Sequence, residues 1–248
     1  MDAMRWLAVA MALVLPPVGM VRIPAGVFVM GSPDGEPDEK PPHRVGLPAF
    51  DLDRDEVTVA AYDKCVAAGA CSAPRHADRK GEEPATWVSW VDADRYCRWV
   101  GKRLPTEAEW ERAARGSEGR RYPWGGEFAC GRGNFANFEG EGRCPNNPGR
   151  PVIVGSYPMG NSPEGVRDLA GNVWEWVADG YDPGYYAHSP RERPQGPSSA
   201  TRRGVRGGAC CSMYGLPRAS NRLAFPPEYA DGDIGFRCAA DVRSSGPQ

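Results

Sequence analysis

Short alternations of apolar and polar residues recur along the chain and predict β-strands. The stretch from Met20 to Ser32 reads M-V-R-I-P-A-G-V-F-V-M-G-S, which predicts two paired strands joined by a turn at residues 24–26. A second alternation, R-V-G-L-P-A-F-D-L, follows His43. The segment Ile234–Ala240 predicts one short strand near the end of the chain. We therefore expect several short strands and few long regular elements.

The stretch D-L-A-G-N-V-W-E-W, residues 168–176, combines this alternation with candidate ligand atoms. Trp174 and Trp176 are two residues apart, so on a strand both side chains point to one face while Glu175 points to the other. Asp168, Glu175 and the backbone carbonyls of the Gly-Asn turn form an all-oxygen set that suits a hard cation such as calcium. The alternative is a hairpin with a tryptophan-rich core face and a solvated Glu175.

Helical spacing of apolar residues predicts three short helices. The first covers Glu56 to Gly69 and the second covers Trp90 to Gly101, and each ends at a glycine. The third follows the sequence P-T-E-A-E-W-E, in which Thr106 and Glu109 have the spacing of a capping box. Gly116 ends this third helix after about ten residues.

Composition, length and net charge indicate what kind of protein contains these elements. The 31 glycines and 25 prolines are dispersed among tryptophans and tyrosines, which indicates a folded protein rich in turns and irregular loops. The 248 residues fit one domain or two small ones and are ample for a hydrophobic core. The net charge of −2 gives no reason to expect a nucleic acid or an anionic membrane as partner.

The first 19 residues have the features of a secretory signal peptide. Arg5 precedes an apolar run from Trp6 to Leu15, and two prolines end this run before it is long enough to span a bilayer as a helix. We therefore expect residues 1–19 to direct the protein to an extracytoplasmic location, periplasmic or secreted. The alternative is a buried N-terminal segment. Residues 243–248 are expected to form a frayed tail.

Eight cysteines accompany this export-like start, and their even number favours disulfides. Zinc is the rival interpretation, but the sequence has no C-x2-C pair. Three bonds would join the first helix to its following loop, close an irregular loop, and tie the second helix to the last strand: Cys65–Cys71, Cys130–Cys144 and Cys97–Cys238. The adjacent Cys210 and Cys211 remain, and they are free, bonded to each other or bound to a metal.

Seven short motifs occur in order between Met20 and Ala240 and carry a family resemblance. They read I-P-A-G-x-F-x-M-G-S, V-S-W-x-D-A, G-K-R-L-P-T-E-A-E-W-E, Y-P-W-G, G-N-V-W-E-W, R-G-G and D-I-G-F-R-C-A. In this order they resemble the formylglycine-generating enzyme family, the sulfatase-modifying factor domain. The resemblance implies one compact α+β domain over residues 20–242 with little regular secondary structure and a C-type-lectin-like fold.

The resemblance also implies calcium. Matched position by position, the ligands would be the side chains of Asp168 and Glu175 and the carbonyls of Gly171 and Val173. Asp168 stands where the family often has asparagine, which keeps an oxygen ligand and adds charge.

Two further features follow from the same resemblance. A second family calcium site would begin at Asn134 or Asn137. A family disulfide between a helix and the last strand matches Cys97 with Cys238.

The family's reaction oxidises a cysteine of a client protein to formylglycine with copper(I) and oxygen. It uses two cysteines that follow an R-G-G motif, which is residues 206–208 here. The first family position holds Ser212, and the second holds Pro217, or Tyr214 when counted back from Arg222. Neither count recovers the pair of thiols that copper(I) needs.

Cys210 and Cys211 are the only candidate catalytic cysteines near this motif, and adjacent residues cannot face one copper ion from opposite sides. We therefore expect a calcium-stabilised, disulfide-bonded, extracytoplasmic protein that is a non-catalytic binding or structural module. A peptide or protein partner would occupy the cleft near Arg206, Arg218 and Arg222. The alternative is a copper-dependent oxidase that converts a client cysteine to formylglycine.

Overall fold

Three short α-helices and nine short strands are found in the computed structural model, which describes residues 15–74, 80–135, 144, 147–211 and 217–242. The helices are α1 (Val59–Ala67), α2 (Trp90–Trp99) and α3 (Glu107–Arg115). The strands are β1 (Met20–Ile23), β2 (Gly26–Met30), β3 (His43–Leu47), β4 (Phe50–Asp53), β5 (Trp174–Gly180), β6 (Arg203–Arg206), β7 (Leu223–Phe225), β8 (Ile234–Phe236) and β9 (Ala239–Asp241). Residues 1–14 of the predicted leader and the predicted tail, residues 243–248, lie outside the described residues.

The strands form three separate sheets. An antiparallel sheet has the order β1-β4-β9, β2 pairs with β3, and a larger sheet has the order β7-β6-β5-β8. In the larger sheet β5 is central, antiparallel to β6 and parallel to β8. This arrangement places the tryptophan-rich stretch in the middle of the largest sheet.

The predicted pairing of two strands within residues 20–32 is wrong. β1 pairs with β4 and β2 pairs with β3, so the connection between β1 and β2 leads from one sheet to another. A two-residue hairpin needs residues with positive φ at its centre. The connecting residues are Pro24, whose ring fixes a negative φ, and Ala25, which is not among the residues with positive φ.

The single strand predicted over Ile234–Ala240 is also wrong in part. β8 pairs with β5, whereas β9 pairs with β4 in a different sheet. Arg237 and Cys238 lie between the two strands, and both are fully buried. The chain therefore changes sheets at these two residues, of which Arg237 forms a buried ion pair and Cys238 a disulfide.

Each helix begins after a hydroxyl-bearing N-cap residue. The side chains of Thr58, Ser89 and Thr106 accept from the backbone N–H three residues further on. At α3 Glu109 also accepts from the N–H of Thr106 at 2.8 Å, which confirms the predicted capping box. The predicted start of the first helix at Glu56 is wrong by three residues, because the Thr58 cap places the first helical residue at Val59.

Two buried hydrophobic clusters lie on either side of β5. Trp174 and Trp176 belong to one cluster and Val177 belongs to the other. The predicted placement of the two tryptophans on one face is therefore confirmed.

The predicted disulfides Cys65–Cys71, Cys97–Cys238 and Cys130–Cys144 are all present. A fourth joins Cys210 to Cys211, so all eight cysteines are bonded. In the described part of the chain, no helix has the length and apolar character that crossing a bilayer requires.

Candidate metal centre and cysteine pair

The turn before β5 has an unusual backbone. Asp168, Gly171 and Asn172 have φ values of 54°, 87° and 63°. Such left-handed conformations are uncommon for residues other than glycine and cluster at functional sites. At Gly171 an added Cβ would collide with the carbonyl oxygen of Asn134, so only glycine allows the two backbones to approach this closely.

Asn172 fixes this turn to three other parts of the chain. Its Nδ2 donates to Glu56 Oε2 at 2.8 Å, and its Oδ1 accepts from the Val152 N–H at 2.9 Å. Its backbone N–H donates to the carbonyl of Asn134 at 2.7 Å. The turn is therefore held from several sides before any ligand binds.

Asn134, predicted to belong to a second calcium site, lies directly against this turn. Its Nδ2 donates to Asn172 Oδ1 at 3.2 Å, while its own Oδ1 is buried without a hydrogen-bond partner among the described residues. The other candidate for that site, Asn137, lies outside the described residues.

Glu175 is buried, so the interpretation of this residue as a solvated glutamate is wrong. Both Glu175 oxygens accept from Arg237, at 2.6 Å from Nε and 2.7 Å from Nη2. Trp110 Nε1 donates to Oε2 at 2.8 Å. The other five residues of the motif G-N-V-W-E-W are uncharged. The Glu175 carboxylate lies inside the protein, where it is paired with the buried Arg237.

Asp168 is a second buried carboxyl group of this site. The Gly155 N–H donates to Oδ2 at 2.5 Å. Burial nevertheless raises the pKa of Asp168 to about 6, because removal from water disfavours the charged form more than Gly155 and Arg237 stabilise it.

Glu56 is a third carboxyl group, which the sequence did not reveal as part of the site. Burial, and then the charges of Asp168 and Glu175, raise its pKa well above the usual range. Oε1 of Glu56 is buried without a hydrogen-bond partner among the described residues. The signal that the sequence offers is the position of Glu56. It lies directly before the apolar Val57, which is buried in the structure, and shortly before the N-cap residue Thr58.

These residues fit a hard divalent cation. Three buried carboxyl groups share one guanidinium, that of Arg237, so the ionised site has excess negative charge, and one carboxyl oxygen has no donor. In the described part of the chain, no three His, Cys, Asp or Glu side chains are grouped to hold a metal by themselves. Backbone carbonyls such as those predicted at Gly171 and Val173 would have to complete the ligand set.

The cysteine pair lies against the same turn. Cys210 is fully buried, its N–H donates to the Asn172 carbonyl at 3.0 Å, and its carbonyl accepts from Asn147 Nδ2 at 3.2 Å. Cys211 is exposed. Of the three states that the sequence left open, the structure has the bonded one.

Copper(I) does not fit this pair, because sulfurs bonded to each other offer no thiolate. Pro217, at one candidate second position, has no thiol, and Ser212 and Tyr214 lie outside the described residues.

The partner cleft is expected near Arg206, Arg218 and Arg222, and the guanidinium groups of all three are buried inside the protein. They form ion pairs across the core: Arg206 with Glu107 and Glu111, Arg222 with Glu107, and Arg218 with Glu39. These arginines therefore cross-link elements of the fold.

Comparison with known proteins agrees with this fold and these motifs. The family model of the sulfatase-modifying factor enzyme 1-like domain matches residues 10–242, and thus begins within the predicted leader. The formylglycine-generating enzyme of Streptomyces coelicolor is 36% identical and is matched over 90% of this chain and 90% of its own. The serine/threonine-protein kinase Pkn1 of Chlamydia trachomatis is 35% identical over 90% of this chain but only 38% of its own length.

Among solved structures, PvdO from Pseudomonas aeruginosa is 28% identical with a TM-score of 0.73, covering 90% of this chain and 94% of its own. This similarity confirms the expected α+β, C-type-lectin-like fold. With the motifs in order and the match extending over most of its length, the chain belongs to the formylglycine-generating enzyme family of sulfatase-modifying factor enzyme 1-like domains.

Proposed function

We propose that this protein is an extracytoplasmic, calcium-stabilised member of the family that serves as a non-catalytic binding or structural module. The Cys210–Cys211 bond carries the proposal. The family's oxidation needs two thiolates that converge on one copper ion, and the cysteines nearest the R-G-G motif are neighbours that are bonded to each other. The same domain forms part of a protein named as a kinase, so membership alone does not define the reaction.

Calcium is proposed at the turn before β5. The side chains of Asp168 and Glu175 and the carbonyls of Gly171 and Val173 would hold it, and Glu56 would add a further carboxyl oxygen. A bound divalent cation supplies the positive charge that these buried carboxylates lack. Asn134, with its unpartnered buried Oδ1, stays the proposed start of a second calcium site.

An extracytoplasmic location is supported by the disulfides. Four bonds in one chain are typical of proteins made in an oxidising compartment and rare in cytosolic ones.

The first experiment compares melting temperatures in calcium and in EDTA. In the wild type, calcium at 100 times its Kd should stabilise the fold by about 2.7 kcal/mol, because it binds only the native state. Glu56→Gln imitates the protonated acid, so the melting temperature in EDTA should change by no more than about 2 °C or rise. The rise caused by calcium should shrink by at least about half, because one carboxyl ligand is lost.

Asp179→Asn is the matched control for this experiment. It also removes a buried carboxyl group of raised pKa from β5, but Asp179 contacts the first turn of α3 through the Glu107 N–H. Its response to calcium should equal that of the wild type. Equal melting of the wild type in calcium and EDTA, with no metal in the purified protein, would rule out the calcium proposal.

The alternative, a copper-dependent oxidase, is tested with a sulfatase-type peptide that contains C-x-P-x-R. Incubated with the protein, copper and oxygen, the peptide should keep its mass, since Cys210 and Cys211 provide no convergent thiolate pair. A loss of about 18 Da, the change from cysteine to formylglycine, would establish the oxidase and overturn the non-catalytic proposal.

A further inference from the structure

The Cys210–Cys211 disulfide has one accessible end and one inaccessible end. Cys211 is exposed, whereas Cys210 is fully buried. A thiolate breaks a disulfide by attacking one of its sulfurs, so access decides which sulfur is attacked. Cys65–Cys71 and Cys97–Cys238 are buried at both ends, which leaves Cys130–Cys144 as the other bond with an exposed residue.

The bond is also the one whose loss costs the fold least. A disulfide stabilises a protein mainly by closing a loop in the unfolded chain, and its effect grows with loop length. The other three bonds have sequence separations of 6, 14 and 141 residues, whereas Cys210 and Cys211 are adjacent. Reduction of the other three bonds is opposed by the folding free energy that they contribute, and reduction of the adjacent pair is not.

The backbone around the pair is held by contacts that do not depend on the bond. The Cys210 N–H donates to Asn172 and the Cys210 carbonyl accepts from Asn147. Ala209, the preceding residue, is buried as well. These contacts hold Cys210 when the sulfurs separate, so its thiol stays next to Cys211 and the bond can form again.

We propose that Cys210–Cys211 is a redox-active disulfide that oxidises an external dithiol. A thiolate of the dithiol attacks Sγ of Cys211, the Cys210–Cys211 bond breaks, and Cys210 leaves as a thiolate that takes up a proton. The second thiol of the dithiol then attacks the mixed disulfide and releases Cys211 as a thiol. The external dithiol loses two electrons and two protons and becomes a disulfide, and the cysteine pair gains both. The exchange rests on the same Cys210–Cys211 bond as the proposed function, but it needs neither calcium nor copper, so calcium binding and dithiol exchange can succeed or fail separately.

The test titrates the native, calcium-supplied protein with dithiothreitol in the presence of a copper chelator. Samples are alkylated and the modified cysteines are mapped by mass spectrometry. Cys210 and Cys211 should be alkylated at a dithiothreitol concentration about a hundredfold below that required for Cys130 and Cys144, which are the internal control with one exposed end. Reduction of the two pairs at the same concentration, or only when the protein unfolds, overturns the proposal.

A second arm uses an unfolded peptide with two cysteines as the dithiol. If one equivalent of the peptide is oxidised, the dithiols of proteins are substrates of the pair. If only dithiothreitol reacts, the substrates are small dithiols. The double variant Cys210→Ser/Cys211→Ser should oxidise neither dithiol. An equal yield from the wild type and this variant would contradict the assignment.

Single variants test which sulfur is attacked. Cys210→Ser leaves a thiol at the exposed position, and Cys211→Ser leaves one at the buried position. The Cys211 thiol should be alkylated at least about ten times faster than the Cys210 thiol, because access controls the rate. Equal or reversed rates would contradict Cys211 as the point of attack.

Discussion

Asp179 is a buried acid whose ionisation should weaken the fold as the pH rises. It is buried, and its Oδ2 accepts from the Glu107 N–H at 2.7 Å. Burial raises the pKa of Asp179 well above its usual range, and the nearby charge of Glu107 raises it further. The neutral acid is thus the form that the folded protein prefers.

The variant Asp179→Asn should show this preference as a pH dependence. A carboxyl group with a raised pKa in the folded state contributes its full stability below its unfolded pKa of about 3.9 and loses it as the pH rises towards the folded value. Asparagine cannot ionise, so the melting temperature of the variant relative to the wild type should increase from about pH 4 to neutral pH. Melting curves in saturating calcium measure this difference, and a difference that is constant with pH would contradict the raised pKa.

Some residues of the candidate metal centre could be predicted from the sequence and others could not. Asp168 and Glu175 stand within eight positions of each other, so a local motif was enough to propose both. Glu56 joins the site through Asn172, which is 116 residues away. No local pattern encodes such a contact, and for the same reason the sequence could not reveal that Arg237 pairs with Glu175.

At the scale of elements, local signals determined where helices lie better than how strands pair. The N-cap hydroxyls act on neighbouring residues, which explains why the third helix begins after Thr106 as predicted. Strand pairing depends on distant partners. β1 and β2 are neighbours in sequence but belong to different sheets, and β8 and β9 are separated in the same way.

The turn before β5 connects the candidate metal centre to the cysteine pair. Asn172 accepts from Cys210 through its carbonyl and donates to Glu56 through its side chain. The proposed metal site at one side of Asn172 and the proposed dithiol exchange at the other therefore share one backbone segment. Sequence reasoning found both regions through the same family motifs but placed no contact between them.

Across the whole molecule, buried ion pairs join segments that are far apart in the chain. Arg206 contacts Glu107 and Glu111 on α3, and Arg218 contacts Glu39, 179 residues away. Such pairs contribute little net stability compared with apolar packing, but loss of one partner leaves an uncompensated charge. Composition predicted a turn-rich fold, and these pairs explain how long irregular loops are fixed to its core.

The disulfides also join distant parts of the chain, and their contribution to the free energy of unfolding can be predicted. In the chain-entropy model, Cys97–Cys238, with a sequence separation of 141 residues, should contribute about 5 kcal/mol, and Cys65–Cys71, with a separation of 6, about 2 kcal/mol. Both pairs are buried, so replacement of each by two alanines removes similar packing. Urea unfolding without reductant should therefore show a loss of free energy of unfolding about 3 kcal/mol larger for Cys97→Ala/Cys238→Ala. Equal losses would show that packing around the sulfurs, rather than closure of the long loop, is what these bonds contribute.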